Sequence, residues 1–161
     1  MKIRILWVGK SKDSYIKAAI DEFITRIKPY SDVDVILIPD VKLSGTNNPG
    51  IVVQREGIRI AKYLNEKVNV YNKPAYVICL DSQGEMLNSV AFAQLIFDKF
   101  QYNEILFIIG GVYGLSDEVK KRADKQVSLS KMTFTHQISR IILLEQLYRA
   151  FTIINKKKYH Y

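Results

Sequence analysis

The sequence is poor in cysteine, histidine and proline: its 161 residues include one cysteine, two histidines and four prolines. The lone thiol, Cys79, has no partner for an internal disulfide and lies in an apolar run, which favours a reducing compartment and a cytoplasmic protein. With only Cys79, His136 and His160 available, no convincing zinc-ligand pattern exists, so no metal is expected. The sequence contains no run of about 18 apolar residues, so no membrane span or membrane partner is predicted.

Acidic residues are scarce relative to basic ones, at 16 against 24. The resulting formal net charge of +8 predicts a polyanionic partner. Nucleic acid is favoured over an anionic membrane, because no basic amphipathic helix with an exposed aromatic face stands out. Hydrophobic residues make up 48% of the chain, and its length is typical of one domain, so residues 1–161 are interpreted as a single domain.

The hydrophobic pattern predicts alternating strands and helices. Continuous apolar runs at 76–80 and 105–109 are typical of parallel strands that are covered on both faces. The predicted fold is therefore α/β, a layered and mostly parallel sheet with helices on both faces. The remaining predicted elements are strands at 1–8 and 33–38 and helices at 13–28, 51–68, 89–100 and 138–155.

The last predicted helix, at 138–155, is apolar around much of its circumference. A helix with this pattern needs cover on more than one side. One face is expected to meet the sheet and another a second copy of the chain, which makes a homodimer the economical interpretation. Complete burial of the helix within one chain is the alternative.

Three loops are candidate ligand sites because ligands of such sheets bind beyond the carboxyl ends of the strands. These loops are 81–87, 110–116 and 128–137. Gly110, Gly111 and Gly114 permit close approach of the backbone to a ligand, although a plain tight turn explains them equally well. Their spacing is not that of a dinucleotide-binding or phosphate-binding loop. His136, at the end of the third loop, is a candidate base, a helix cap or a packed imidazole.

Five motifs follow one another along the second half of the chain: Gly110-Gly111-x-x-Gly114, Leu129 to Phe134 with His136, Arg140, Glu145 to Ala150, and Tyr159-His160. Taken together in this order, they resemble the SPOUT (α/β-knot) superfamily, and more narrowly its bacterial 23S rRNA pseudouridine N3-methyltransferases. The resemblance implies a carboxy-terminal trefoil knot, a homodimer, and S-adenosylmethionine bound in the knot without a metal. The cofactor-binding residues that the resemblance implies are Leu80, Gly110, Leu129, Ser130, Lys131, Met132, Thr133 and Phe134.

The activity implied by the resemblance is methylation of N3 of pseudouridine 1915 in the 23S rRNA of the ribosome. Arg140 is assigned to steering a phosphate or the uracil carbonyls, because a guanidinium offers several donors in fixed geometry. His160, with Tyr159 beside it, is the candidate for proton handling or base contact. Another RNA acceptor, a free nucleotide and a non-enzymatic RNA-binding or ribosome-binding module remain alternatives.

The chain departs from the family pattern at two positions. Thr135 stands where a proline usually precedes the histidine, so the loop loses one fixed dihedral and is expected to be more mobile. Tyr161 ends the chain where relatives tend to carry a basic residue, which puts a role for that charge in doubt. Lysines 156–158 beside the terminal aromatics offer phosphate attraction and stacking faces, or else a solvated helix end.

Overall fold

Strands and helices alternate along the chain in a computed structural model that describes residues 1–45, 48–68 and 75–159. Five strands form one parallel sheet in the order β2-β1-β4-β3-β5. The strands are β1 (Lys2–Val8), β2 (Asp32–Ile38), β3 (Tyr76–Met86), β4 (Glu104–Ile109) and β5 (Lys125–Ser128). The helices are α1 (Ser14–Ile27), α2 (Pro49–Tyr63), α3 (Ser89–Asp98), α4 (Asp117–Lys121) and α5 (His136–Ile154), and a π-helical turn (Leu64–Val68) follows α2.

Helices cover both faces of the sheet, which confirms the predicted α/β class. Alternate residues of a strand point to opposite faces, and in β4 Phe107 packs toward α1, α3 and α5 while Ile108 packs toward α2 and α4. Both side chains are fully buried. Cys79 lies in the second of these layers, where burial raises the pKa of its thiol to about 12 and keeps it protonated.

Side-chain caps fix the starts of four helices. The side chains of Asn48 and Asn88 accept hydrogen bonds from the backbone N–H groups three residues on, at 3.0 and 2.8 Å. Ser116 and Thr135 do the same for α4 and α5, at 3.4 and 3.3 Å. Each cap satisfies a backbone N–H group of the first turn that has no partner within the helix.

Two elements differ from the prediction. β3 continues to Met86, so most of the predicted loop 81–87 is strand. Strand β5 was not predicted, because it has four residues and only Val127 among them is a large apolar one. Val127 of β5 pairs with Leu80 and, after a register shift in β3, again with Glu85. Pairing with β5 therefore continues to Met86, where β3 ends.

None of the helices in the described part of the chain has the length and apolar character that a membrane span requires. Within the same ranges, no group of three or more His, Cys, Asp or Glu side chains is placed to hold a metal ion. The parallel sheet is consistent with the trefoil knot, which stays a prediction of the resemblance.

Candidate functional site

The three predicted loops converge on one cavity of about 690 Å³ beyond the carboxyl ends of β3, β4 and β5. Neighbouring parallel strands end at the same edge of the sheet, which is why segments distant in sequence meet there. The cavity is lined by residues 80–82, 109–114, 128–130, 132–136 and 139.

All the predicted cofactor-binding residues except Lys131 line this cavity. Lys131 is exposed and lies outside the lining. Apolar surface comes from Leu80, Leu129 and Phe134, and polar groups come from the hydroxyls of Ser130 and Thr133 and from the backbone. Such a combination of apolar walls and a few fixed polar groups is typical of small-molecule sites.

The glycine loop folds tightly on itself and also forms one wall of the cavity. Gly114 has a φ of +86°, a conformation that L side chains rarely adopt, and its N–H donates to the carbonyl of Gly111 at 3.2 Å. A Cβ atom at Gly110 would lie 2.6 Å from the carbonyl carbon of Gly114. The tight-turn interpretation of these glycines is therefore confirmed, while their contact with a ligand stays a prediction.

Glu56 supports the glycine loop from behind, and sequence reasoning missed it. Its carboxylate is 3% exposed, and a Cβ atom at Gly111 would lie 2.7 Å from Glu56 Oε2. Oε1 accepts a hydrogen bond from the Val41 N–H at 3.0 Å, while Oε2 has no partner within the described residues. The sequence does contain a signal for this residue. Val52, Glu56 and Ile60 are spaced four residues apart, so a helix places the Glu56 carboxylate on the same buried face as the two apolar side chains.

Hydroxyl groups organise the third segment, 128–135. Ser128 Oγ donates to the Ser130 carbonyl at 3.0 Å, and the Met132 N–H donates to Ser130 Oγ at 3.0 Å. Thr135 has a φ of −63°, which is the value that proline imposes. Its hydroxyl also caps α5, which a proline could not do, so this chain has a physical substitute for the missing proline.

His136 is the imidazole that lines the cavity. The ring is half-buried at the first turn of α5. Burial, followed by the positive charge of Arg140, lowers the pKa of His136 below its ordinary value of 6.5. The ring is therefore neutral at pH 7 and able to accept a proton.

Arg140 is fully buried and does not line the cavity. Its Nη1 donates to Ser11 Oγ at 2.7 Å and Gln137 Oε1 at 3.1 Å, and its Nη2 donates to the Val8 carbonyl at 2.6 Å. Its Nε has no partner within the described residues, and burial lowers the pKa of the guanidinium to about 10. Both terminal nitrogens are thus engaged by the protein, so a contact with phosphate or uracil, which stays a prediction, would require them to exchange partners.

Tyr159 also lies away from the cavity of its own chain. Its hydroxyl lies 3.3 Å from Glu145 Oε1, and its ring stacks on the Arg149 guanidinium and on the edge of Tyr148. Glu145 follows His136 by nine residues, about 13 Å along a helix with a rise of 1.5 Å per residue. His160 and Tyr161 lie outside the described residues. Within the described chain, the predicted catalytic residues Arg140 and Tyr159 are thus not brought together.

Comparison with known proteins gives the family of this chain. The family model described as "Predicted SPOUT methyltransferase" matches residues 1–160, and the chain belongs to this SPOUT methyltransferase family. The ribosomal RNA large subunit methyltransferase H of Halothermothrix orenii is 45% identical over 166 residues, covering 99% of each chain. The protein of the same name from Geotalea daltonii is 40% identical over 163 residues, covering 100% of each chain.

A solved structure shows the same fold at low sequence identity. The AdoMet-bound rRNA methyltransferase from Sinorhizobium meliloti superposes with a TM-score of 0.52 at 11% identity, covering 92% of this chain and 56% of that one. Membership in the SPOUT methyltransferase family confirms the expected cofactor, S-adenosylmethionine.

The cavity fits that cofactor in size and in chemistry. Its volume of about 690 Å³ falls within the usual range of small-molecule sites. The glycine wall lets backbone groups approach a ligand closely, and Leu80, Leu129 and Phe134 supply apolar surface for an adenine ring.

Proposed function

We propose that this chain transfers a methyl group from S-adenosylmethionine to N3 of pseudouridine 1915 in the 23S rRNA of the ribosome, acting as a homodimer in the cytoplasm. The observation that carries the proposal is the meeting of three separate segments at one cavity in a chain of a methyltransferase family. Full-length relatives at 40% and 45% identity that are named for the large-subunit ribosomal RNA support the substrate.

Binding of the cofactor is assigned to the glycine loop, to the segment 128–134 and to Leu80. Backbone groups of 110–114 and 128–134 read the polar edges of the cofactor, while Leu80, Leu129 and Phe134 hold its adenine. Lys131 is exposed but belongs to the same segment, and it stays in the proposed set. When bound, S-adenosylmethionine supplies an electrophilic methyl group on a sulfonium.

The acceptor nitrogen must lose its proton, so a base is required near the cavity. Neutral His136 lines the cavity and is a candidate, while Asp81, another titratable lining residue, is paired with Lys120 at 3.4 Å. His160 and Tyr159 stay catalytic candidates. Tyr159 contacts Glu145, which lies about 13 Å along α5 from His136, and it is therefore remote from the cavity of its own chain. We propose that the partner subunit of a homodimer contributes these two residues to the cavity.

The homodimer is supported by α5 itself. Ile138 is 36% exposed, and Ile141, Ile142 and Ile153 are only partly buried. The outward side of this helix therefore combines incompletely covered apolar side chains with the Glu145–Arg149 ion pair, and a self-complementary contact with a second copy would cover the apolar ones.

Arg140 is assigned a positioning role instead of the predicted contact with substrate. Its guanidinium ties the end of β1 at Val8 to the first turn of α5 at Gln137. His136 belongs to that turn, so Arg140 fixes the imidazole relative to the sheet.

Nucleoside mass spectrometry of 23S rRNA from a strain lacking this protein tests the proposal. We expect N3-methylpseudouridine to disappear, to return with the wild-type chain, and to stay absent with Gly110→Val. Gly50→Ala is the matched control, because a Cβ atom there would meet only the end of the Asn48 side chain at 3.3 Å. An unchanged level of the methylated nucleoside in the deletion strain would contradict the proposal.

A further inference from the structure

A second cavity of about 610 Å³ lies on the α1 side of the sheet and shares no lining residue with the first. Trp7 of β1, Ile20 of α1, and Val35 and Leu37 of β2 form its apolar floor. β2 is an edge strand, and Val35 and Leu37 are 37% and 41% exposed there. Two large apolar side chains left open beside a tryptophan indicate a surface that contacts a ligand.

Basic side chains surround this floor. Lys10, Lys12 and Lys17 line the cavity and are exposed, and none of the three forms an ion pair within the ranges the structure describes. Among the described residues that line the cavity, Asp21 is the one acidic side chain, so this lining carries a positive net charge. Lysines around the exposed apolar side chains of Val35 and Leu37 match the phosphates and bases of a single-stranded nucleic acid.

The second cavity adjoins the first through two hydrogen-bonded contacts. His136 and Ser139 line the first cavity, while the intervening Gln137 donates to the Lys10 carbonyl at 3.2 Å. Arg140 likewise donates to Ser11, which lines the second cavity. Gln137 and Arg140 therefore link the lining of the second cavity to the first turn of α5, which borders the first cavity.

From this arrangement we infer that the second cavity binds a nucleotide of the substrate RNA next to the one that is methylated. Its phosphates contact Lys10, Lys12 and Lys17, and its base lies on Val35 and Leu37. The inference rests on the proposed function, since it takes the ligand to be an RNA strand that continues into the methyl-transfer cavity.

A second copy of the chain is the competing occupant. In a two-fold contact the same patch meets itself, so Lys10, Lys12 and Lys17 of both copies would come together with only the two Asp21 carboxylates to balance them. An excess of like charge in one interface is repulsive. The charge of the lining therefore favours RNA over a protein partner.

The test measures binding of a fluorescein-labelled oligouridylate of about 12 nucleotides to the full-length protein by fluorescence anisotropy at several KCl concentrations. Lys12→Ala/Lys17→Ala is compared with Lys28→Ala/Lys62→Ala, a pair of exposed lysines outside the cavity. Because each phosphate contact contributes about 0.7 to the slope of log affinity against log salt, we expect the first pair to lower that slope by about 1.4. Affinity at low salt should fall on the order of tenfold, with no such change for the control pair.

The floor is tested by Leu37→Ser against Leu43→Ser, both exposed leucines, of which only Leu37 lines the cavity. Leu37→Ser should weaken RNA binding without changing the salt slope, and affinity for S-adenosylmethionine should stay as in the wild type. Sedimentation equilibrium reports the mass of each variant. A mass that falls with Leu37→Ser, or RNA affinities equal to those of the controls, would overturn the inference.

The two proposals fail in different ways. If the wild type methylates rRNA while the cavity variants bind RNA as their controls do, the inference has failed and the proposed function stands. If the wild type binds RNA through this cavity but transfers no methyl group, the inference stands and the proposed function has failed.

Discussion

Gly110 packs directly against the backbone of Gly114: a Cβ atom on Gly110 would lie 2.6 Å from the Gly114 carbonyl carbon and 2.7 Å from its oxygen. Backbone cannot move aside as a flexible side chain can, so a methyl group at position 110 must open the loop that walls the cavity. We expect Gly110→Ala to lower the free energy of unfolding by about 1–3 kcal/mol and to abolish measurable binding of S-adenosylmethionine. Urea denaturation and titration calorimetry measure the two effects.

Gly50→Ala is the control for this substitution, since position 50 lies in the first turn of α2 and a Cβ atom there would meet only the Asn48 side-chain oxygen, at 3.3 Å. It should change stability little, because the gain from restricting the unfolded chain is offset by a small shift of the capping Asn48 side chain. Equal cofactor affinity in Gly110→Ala and the wild type would show that the loop does not need this packing.

His136 makes stability depend on pH. Unfolded, its imidazole titrates near 6.5, and in the folded chain burial lowers the pKa below that value. The unfolded chain therefore binds more protons in this window, and the folded protein loses stability as the pH falls through 6.5. We expect His136→Gln to make this loss shallower when thermal melting is followed from pH 8 to pH 5.5.

His160→Gln, which changes the other histidine of the chain, supplies the comparison. A His136→Gln variant whose melting temperature falls with pH as steeply as that of the wild type would contradict the assignment of the shift to His136.

Arg140 holds two parts of the chain together with a buried charge. The Val8 carbonyl, Ser11 and Gln137 all accept from its planar guanidinium, and a lysine ammonium cannot reproduce that geometry. We expect Arg140→Lys to lower the free energy of unfolding by about 2 kcal/mol, as measured by urea denaturation.

Arg59→Lys is the matched control, because exposed Arg59 also donates to two backbone carbonyls, those of Pro39 and Asp40. At an exposed position water replaces the lost bonds, so the change should stay within about 0.5 kcal/mol. Equal effects of the two substitutions would show that burial of Arg140 does not matter.

The sequence pattern predicts the sheet because its signals are local. Apolar runs at 76–80 and 105–109 and caps such as Asn88 depend only on neighbouring residues, and the structure follows them. Strand β5 has no such signal, since its four residues become a strand by pairing with β3, which is distant in sequence. The loops around the cavity are predictable for a related reason, because parallel strands end at a common edge.

The sequence pattern does not predict contacts between side chains that are distant in sequence. Arg140 was assigned to the substrate from the chemistry of its guanidinium, but its partners Val8 and Ser11 lie about 130 residues away and hold it inside the core. Tyr159 was grouped with His160 because they are adjacent in sequence, whereas its contacts with Glu145 and Arg149 depend on how the chain turns back after α5.

Glu56 provides the sharpest test of how the glycine loop is supported. Burial raises the pKa of its carboxyl, and Oε2 has no partner within the described residues, so at pH 7 the charge destabilises the fold. Glu56→Gln keeps the shape and an acceptor for the Val41 N–H while it removes the charge, and we expect it to raise the free energy of unfolding at pH 7 by about 1 kcal/mol. Because the folded carboxyl is protonated more readily than the unfolded one, the gain should vanish below pH 4.5, where both states are neutral. Urea denaturation at pH 7 and pH 4 measures both values, with exposed Glu22→Gln as the control that should change little at either pH. A Glu56→Gln variant less stable than the wild type at pH 7 would mean that the ionised carboxylate holds the Gly111 wall in place.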